Sequence, residues 1–155
     1  MTGSGPIPPA ETATPARNGI LLALIAAFSL AGVVVSAISL QRHYAKSATQ
    51  FCDFSQRFSC DIVNRSEYSS IVGIPVAGIG VVGYGVLLAL ATFLRTRPET
   101  PNRLLGAAIA GLAFALYLTY VEAYVLETWC ILCLLSLAFI ALISLLALIV
   151  KLKTW

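Results

Sequence analysis

Charge is what this sequence has least of. Only 11% of its 155 residues are Asp, Glu, Lys or Arg, while 59% are hydrophobic and the mean hydropathy is +0.89. A soluble domain carries about a quarter of its residues as charges, so water is excluded as the main solvent of this chain. Histidine is scarcer still. His43 is the only one, which disfavours a zinc centre and leaves His43 as a solvated residue closing the first apolar run. No run of alternating polar and apolar residues is present, as a membrane barrel would require. The net charge of +3 is read as membrane topology and gives no case for nucleic-acid binding.

What the chain has in abundance is long apolar runs. Four can be read off: Gly19 to Leu40, Ile71 to Leu94, Leu104 to Leu126, and Cys130 to Val150. Each has about the 20 residues that a helix needs to cross roughly 30 Å of hydrocarbon. In lipid the backbone polar groups must be satisfied within the segment, so the spans are expected to be helices. The expected fold is an all-α membrane protein, a four-transmembrane-helix bundle with a long outer loop between helices 1 and 2. The domain division is 1–18 and 19–155. The first part, rich in Pro, Gly, Thr and Ala, reads as a disordered cytoplasmic tail. The first span has no clear cleavage pattern after it and is kept in the mature protein.

The basic residues set the orientation. Arg17, Arg95, Arg97, Arg103, Lys151 and Lys153 fall on one side of the four spans, and the other side carries Arg42, Lys46, Arg57 and Arg65 against Asp53, Asp61, Glu67 and Glu127. The positive-inside rule makes the first side cytoplasmic. Both termini are then in the cytoplasm of a multi-pass protein of the cell's inner membrane. All four cysteines face outside, where disulfides persist. Trp129 and Tyr44 fall near the outer boundary and Trp155 near the inner one.

Cys130 and Cys133 make a C-x-x-C at the start of a helix. Two thiols at that spacing share a face and can close a disulfide across one turn. The helix amides favour a thiolate there, so one of the two is expected to have a lowered pKa. A static disulfide or two packing thiols fit the same spacing. Cys52 and Cys60 enclose seven residues of the outer loop, either as a second redox pair or as an ordinary loop disulfide. Two pairs at one membrane face favour a relay, because disulfides exchange by direct thiolate attack.

Glu122 is the one ionisable residue within a span, and an intramembrane carboxyl is a functional candidate. Tyr117, Tyr120 and Tyr124 run beside it at helical spacing and suit either a flat-ring pocket or an interior packing stripe. Gly78, Gly80 and Gly83 spell a dinucleotide-binding pattern but have no strand before them. With Gly73, Ala77 and Gly85 they read instead as points of close helix approach. Asn64-Arg65-Ser66 matches a glycosylation sequon and is discounted.

The chain resembles the bacterial members of the vitamin K epoxide reductase family, as a single-domain homologue without a fused thioredoxin-like domain. The resemblance rests on Cys52 and Cys60 at their spacing, Ser66 six residues on, the run Tyr68 to Val76 with Gly73-Ile74-Pro75, and Leu118 to Cys133 ending in Trp129-Cys130-Ile131-Leu132-Cys133. It implies a four-helix bundle around a quinone, with Cys130 and Cys133 as the quinone-side pair and Cys52 and Cys60 as the shuttle pair. It further implies Ser66 as a polar support, and Glu122 and Tyr120 join it as candidate quinone contacts. Leu137 stands where animal members have a tyrosine, and the second helix lacks their asparagine near its start. Both departures point to a plain quinone, ubiquinone, menaquinone or a related ring, in place of an epoxide.

The implied activity is a quinone-dependent thiol oxidase that reoxidises a separate thioredoxin-fold oxidant outside the membrane and so drives disulfide formation. An unrelated quinone-linked oxidase of four helices places its C-x-x-C in the first outer loop, the reverse of this order. A membrane assembly protein with two static disulfides is the reading from a different class.

Overall fold

The computed structural model describes residues 15–44 and 57–155, so Cys52 and most of the N-terminal tail lie outside the described residues. Among those described, four long helices form the bundle: α1 (Pro15–Tyr44), α3 (Val76–Thr92), α4 (Thr100–Val121) and α5 (Ile131–Lys153), with a short α2 (Cys60–Arg65) laid against α1. Helix α1 packs on α3 and α5, and α4 packs on α5 and α3. The chain is an all-α membrane protein in which three helical stretches, Asn18–Tyr44, Thr100–Leu126 and Ile131–Lys153, are long and apolar enough to cross a membrane.

The fourth apolar helix is shorter than the sequence suggests. The run from Ile71 enters a small hairpin instead of a helix, with Ser70–Ile71 (β1) paired to Ile74–Pro75 (β2). Val72 and Gly73 take positive φ, 54° and 81°, which is the geometry a two-residue hairpin turn demands. Pro75 then caps α3, because its missing N–H and fixed φ suit a helix start and nothing before it. The 17 residues left span about 26 Å at 1.5 Å per residue. At the other end of the chain order the deviation is opposite: α1 begins earlier than Gly19 and runs on to Tyr44, which places His43 inside the helix.

The centre of the bundle is built from Ile25, Leu87, Leu104, Ala108, Ile143 and Ala147, all nearly or fully buried. Close approach of α1 and α3 depends on two small residues. A Cβ on Gly32 would overlap the ring of Tyr84, and one on Gly80 would lie 2.7 Å from Ser36 Oγ. Gly83 and Gly85, also expected at helix contacts, have no neighbour there. Tyr84 crosses to α5, its hydroxyl donating to the Ser136 carbonyl at 2.7 Å and meeting Ser136 Oγ at 2.9 Å.

Candidate functional site

The end of the bundle where the cysteines gather is shaped by an irregular turn. After Val121 the helix widens into a π-turn, Glu122–Leu126, and stops at Glu127 with φ 49°. Thr128 N–H closes it on the Glu122 carbonyl at 3.2 Å. Such widened turns re-aim side chains, and here Glu122 is only 2% exposed. Its Oε2 accepts the backbone N–H of Cys130 at 3.2 Å, and its carboxyl also hydrogen-bonds the Cys133 thiol.

A second main-chain link brings the outer loop to the same place. Trp129 N–H donates to the Arg57 carbonyl at 2.7 Å, and Phe58 and Trp129 form a parallel bridge. Cys60 starts α2 directly after this bridge. It is 1% exposed and hydrogen-bonds Cys130, which is wholly buried and in turn hydrogen-bonds Cys133. The three sulfurs and Glu122 therefore stand in sequence: Cys60, Cys130, Cys133, carboxyl. Val63, Leu132, Leu126 and Val35 pack around them. Cys130 and Cys133 are thiols in this structure.

Cys130 departs from the expected acidity. Its hydrogen bond to Cys133 holds its thiol well above the ordinary 9.0, against the opposite pull of the Cys60 hydrogen bond and with burial adding to the rise. The reason is local: Cys130 is the buried, extended N-cap residue of α5, and its hydrogen bond to the Cys133 sulfur outweighs the help of the one helix amide, that of Cys133, which reaches it. A helix start lowers a thiol's pKa through amides left open to it.

Beside the sulfurs lies a cavity of about 410 Å³ between α1, α3, α4 and α5. Cys133, Glu122 and Ser66 border it, whereas Cys130 and Cys60 do not. Ser66 also donates its hydroxyl to the Val63 carbonyl at 2.8 Å, closing α2. Tyr120, expected with them, is not at the cavity. It is 58% exposed and its ring lies 4.9 Å from that of Tyr124, on the outward side of α4 with Tyr117. Leu118 and Glu122 occupy the inward side, and helical spacing alone does not say which stripe turns in.

Two cavity residues were not legible as such. His43, expected in solvent, is half-buried at the cavity edge, its Nδ1 2.5 Å from the Asn64 carbonyl. Asn64, discounted with its sequon, is 7% exposed and borders the cavity too. A signal existed for the first: Ser36, Ser39 and His43 form a polar stripe on one face of an apolar helix, the mark of a span facing a site and not lipid. No cluster able to hold a metal ion is found among the described residues.

The sequence was also compared with known families. The model of one, described as the vitamin K epoxide reductase family, matches residues 23–148, a stretch containing the three sulfurs, Glu122 and every cavity residue discussed above.

Proposed function

This chain belongs to the vitamin K epoxide reductase family, whose activity in general is quinone-linked thiol oxidoreduction, and on that premise we propose that it oxidises the dithiol of a separate thioredoxin-fold protein and passes the electrons to a membrane quinone. The observation that carries the reading is the division of labour between two neighbouring cysteines. Cys133 borders the cavity, while Cys130 stands behind it against Cys60. A pair so placed faces an acceptor on one side and a donor thiol on the other.

The cavity fits a quinone. Its volume lies in the range of small-molecule sites, roughly 300–1,000 Å³. Its walls are mostly apolar, including Ile79, Leu87, Phe114 and Leu118, with polar side chains such as Ser36, Asn64 and Glu122 among them. A bound quinone supplies a two-electron, two-proton sink and leaves as the quinol.

The chain's own residues supply the rest. A partner thiolate attacks the Cys52–Cys60 disulfide at Cys52 and releases Cys60. The Cys60 sulfur attacks Cys130 of the helix disulfide, and Cys133 departs as a thiolate at the cavity wall. Cys52 and Cys60 re-form their bond as the partner closes its own, which leaves Cys130 and Cys133 as the reduced pair. Closing that pair again gives up two electrons and two protons. Glu122, hydrogen-bonded to Cys133, receives the thiol proton and holds it at the cavity edge.

In the membrane, α3 makes the fourth span with its preceding hairpin at the outer boundary, both termini lie in the cytoplasm, and the sulfur end faces outside, the arrangement the basic residues favour. Ubiquinone and menaquinone both have the required ring. The decisive measurement mixes the reduced protein anaerobically with a quinone and follows quinol formation. Up to two quinols per fully reduced chain are expected, one from Cys130 and Cys133 and one relayed from Cys52 and Cys60, and none from Cys133→Ser. Thiols that remain reduced in the wild type would overturn the reading.

A further inference from the structure

Among the described residues, one fully buried side-chain polar atom of a cavity-bordering residue has no hydrogen-bond partner. Asn64 Nδ2 is a buried donor with no hydrogen-bond partner. Two other buried polar atoms share that condition, Asn18 Oδ1 and Ser29 Oγ, but neither residue borders the cavity. Leaving a buried amide donor unpaired costs about 1–3 kcal/mol, and native interiors seldom retain one without a reason.

Asn64 is also held from both ends. His43 Nδ1 meets its backbone carbonyl at 2.5 Å, and Ser69 Oγ approaches the same ring nitrogen at 3.4 Å. On the N-terminal side Ser59 Oγ accepts the Ile62 N–H at 3.4 Å, and on the C-terminal side Ser66 Oγ donates to Val63. The short helix is pinned fore and aft, so its backbone is not free to carry the amide to another acceptor. The cavity that Asn64 borders is where an acceptor can be supplied.

We propose that the side-chain amide of Asn64 donates a hydrogen bond to a carbonyl oxygen of the quinone and orients the ring in the cavity. This rests on the reading of the cavity as a quinone site and adds to it the residue that holds the ring. A ketone oxygen accepts such a bond with no proton of its own to place, whereas the hydroxyl of a quinol must also find an acceptor. The Asn64 amide therefore favours the oxidised ring over the reduced one, which helps product leave.

The test uses the full-length protein with both pairs oxidised, so that binding is read without turnover. Dissociation constants are measured for menadione and for 2-methylnaphthalene, which has the same ring system and no carbonyl. Replacing Asn64 by Leu is expected to weaken menadione about tenfold, the effect of losing one hydrogen bond of about 1.4 kcal/mol. Binding of 2-methylnaphthalene should not change. The infrared carbonyl band of bound menadione should move to higher wavenumber in Asn64→Leu, and the ligand-free variant should melt no lower than the wild type, since an unpaired donor has been removed. Equal loss of both ligands, or no loss of menadione, overturns the role of Asn64 while leaving the quinone site standing. Wild-type protein that binds neither compound overturns the site itself.

Discussion

Glu122 Oε2 accepts the backbone N–H of Cys130 at 3.2 Å, so one carboxyl both anchors the first residue of the C-x-x-C and borders the cavity that the second residue faces. The anchoring and the proposed proton handling can be separated by substitution. Glu122→Gln keeps an acceptor for the Cys130 amide but no longer takes a proton. Quinol formation should fall about a hundredfold, the usual worth of a positioned acid–base group, with the melting temperature nearly unchanged. Glu122→Leu removes the acceptor as well and should cost about 1–3 kcal/mol of stability. Turnover unaffected by the Gln variant would return Glu122 to a purely structural part.

The contact between Cys60 and Cys130 makes a definite prediction of the proposed order of sulfur exchange. In Cys133→Ala, Cys130 can attack the loop disulfide at Cys60, and the product cannot be resolved from the cavity side. A Cys60–Cys130 disulfide should accumulate, visible by peptide mapping after acid quenching without reductant. Recovery of Cys52 joined to Cys130 would reverse the order.

In the reduced protein the raised pKa of Cys130 makes stability depend on pH in a definite direction. The folded thiol keeps its proton where the unfolded one loses it. The stability is fully present below pH 9.0, the ordinary thiol value, and falls as pH rises beyond it. Melting of the reduced wild type should therefore drop more between pH 8 and 10 than that of Cys130→Ala. Parallel curves would mean that burial and the Cys133 contact do not hold the proton.

Helix contact and helix composition make different demands on glycine. Gly32→Ala drives a methyl into the Tyr84 ring and should cost about 1–3 kcal/mol, as overpacking does. Gly85→Ala meets nothing within 4 Å and should be neutral or stabilising, as alanine is the better helix former. Similar melting points for the two would show that α1 and α3 yield more readily than their packing implies.

Orientation is best read from introduced thiols, since Cys60 is buried. In a background without native cysteines, Val72→Cys on the 96% exposed hairpin tip should react with an impermeant maleimide added outside intact cells. Trp155→Cys, equally exposed, should react only after lysis. The opposite pattern would invert the topology.

The sequence made the long helices legible because apolar length is a property of composition, and three of the four expected spans reappear with ends moved by a few residues. It did not reveal the hairpin at Ile71 to Pro75, since those residues are as apolar as the helix they precede and only the positive φ at Val72 and Gly73 separates them. Glu122 stood out as a charge within a span, but its bond to the Cys130 amide depends on a π-turn that no periodicity announces. Tyr120 shows the converse: helical spacing groups Tyr117, Tyr120 and Tyr124 on a common stripe, and the packing partners, absent from the sequence, decide that it faces outward. The lowered thiol pKa expected for one of the two cysteines is not met at Cys130, whose proton is held by the hydrogen bond to Cys133 and by burial, neither of which the spacing announces.

Cys130 has no accessible surface at all, and in the proposed relay this would insulate the pathway. Small thiols and oxidants dissolved in the surroundings cannot touch the central sulfur, so its electrons have two exits, Cys60 on one side and Cys133 on the other. A freely exposed C-x-x-C would be short-circuited by whatever redox couple the compartment contains. On the proposed function, the poise of the bulk solution and the poise of the membrane would be joined through a gap one sulfur wide.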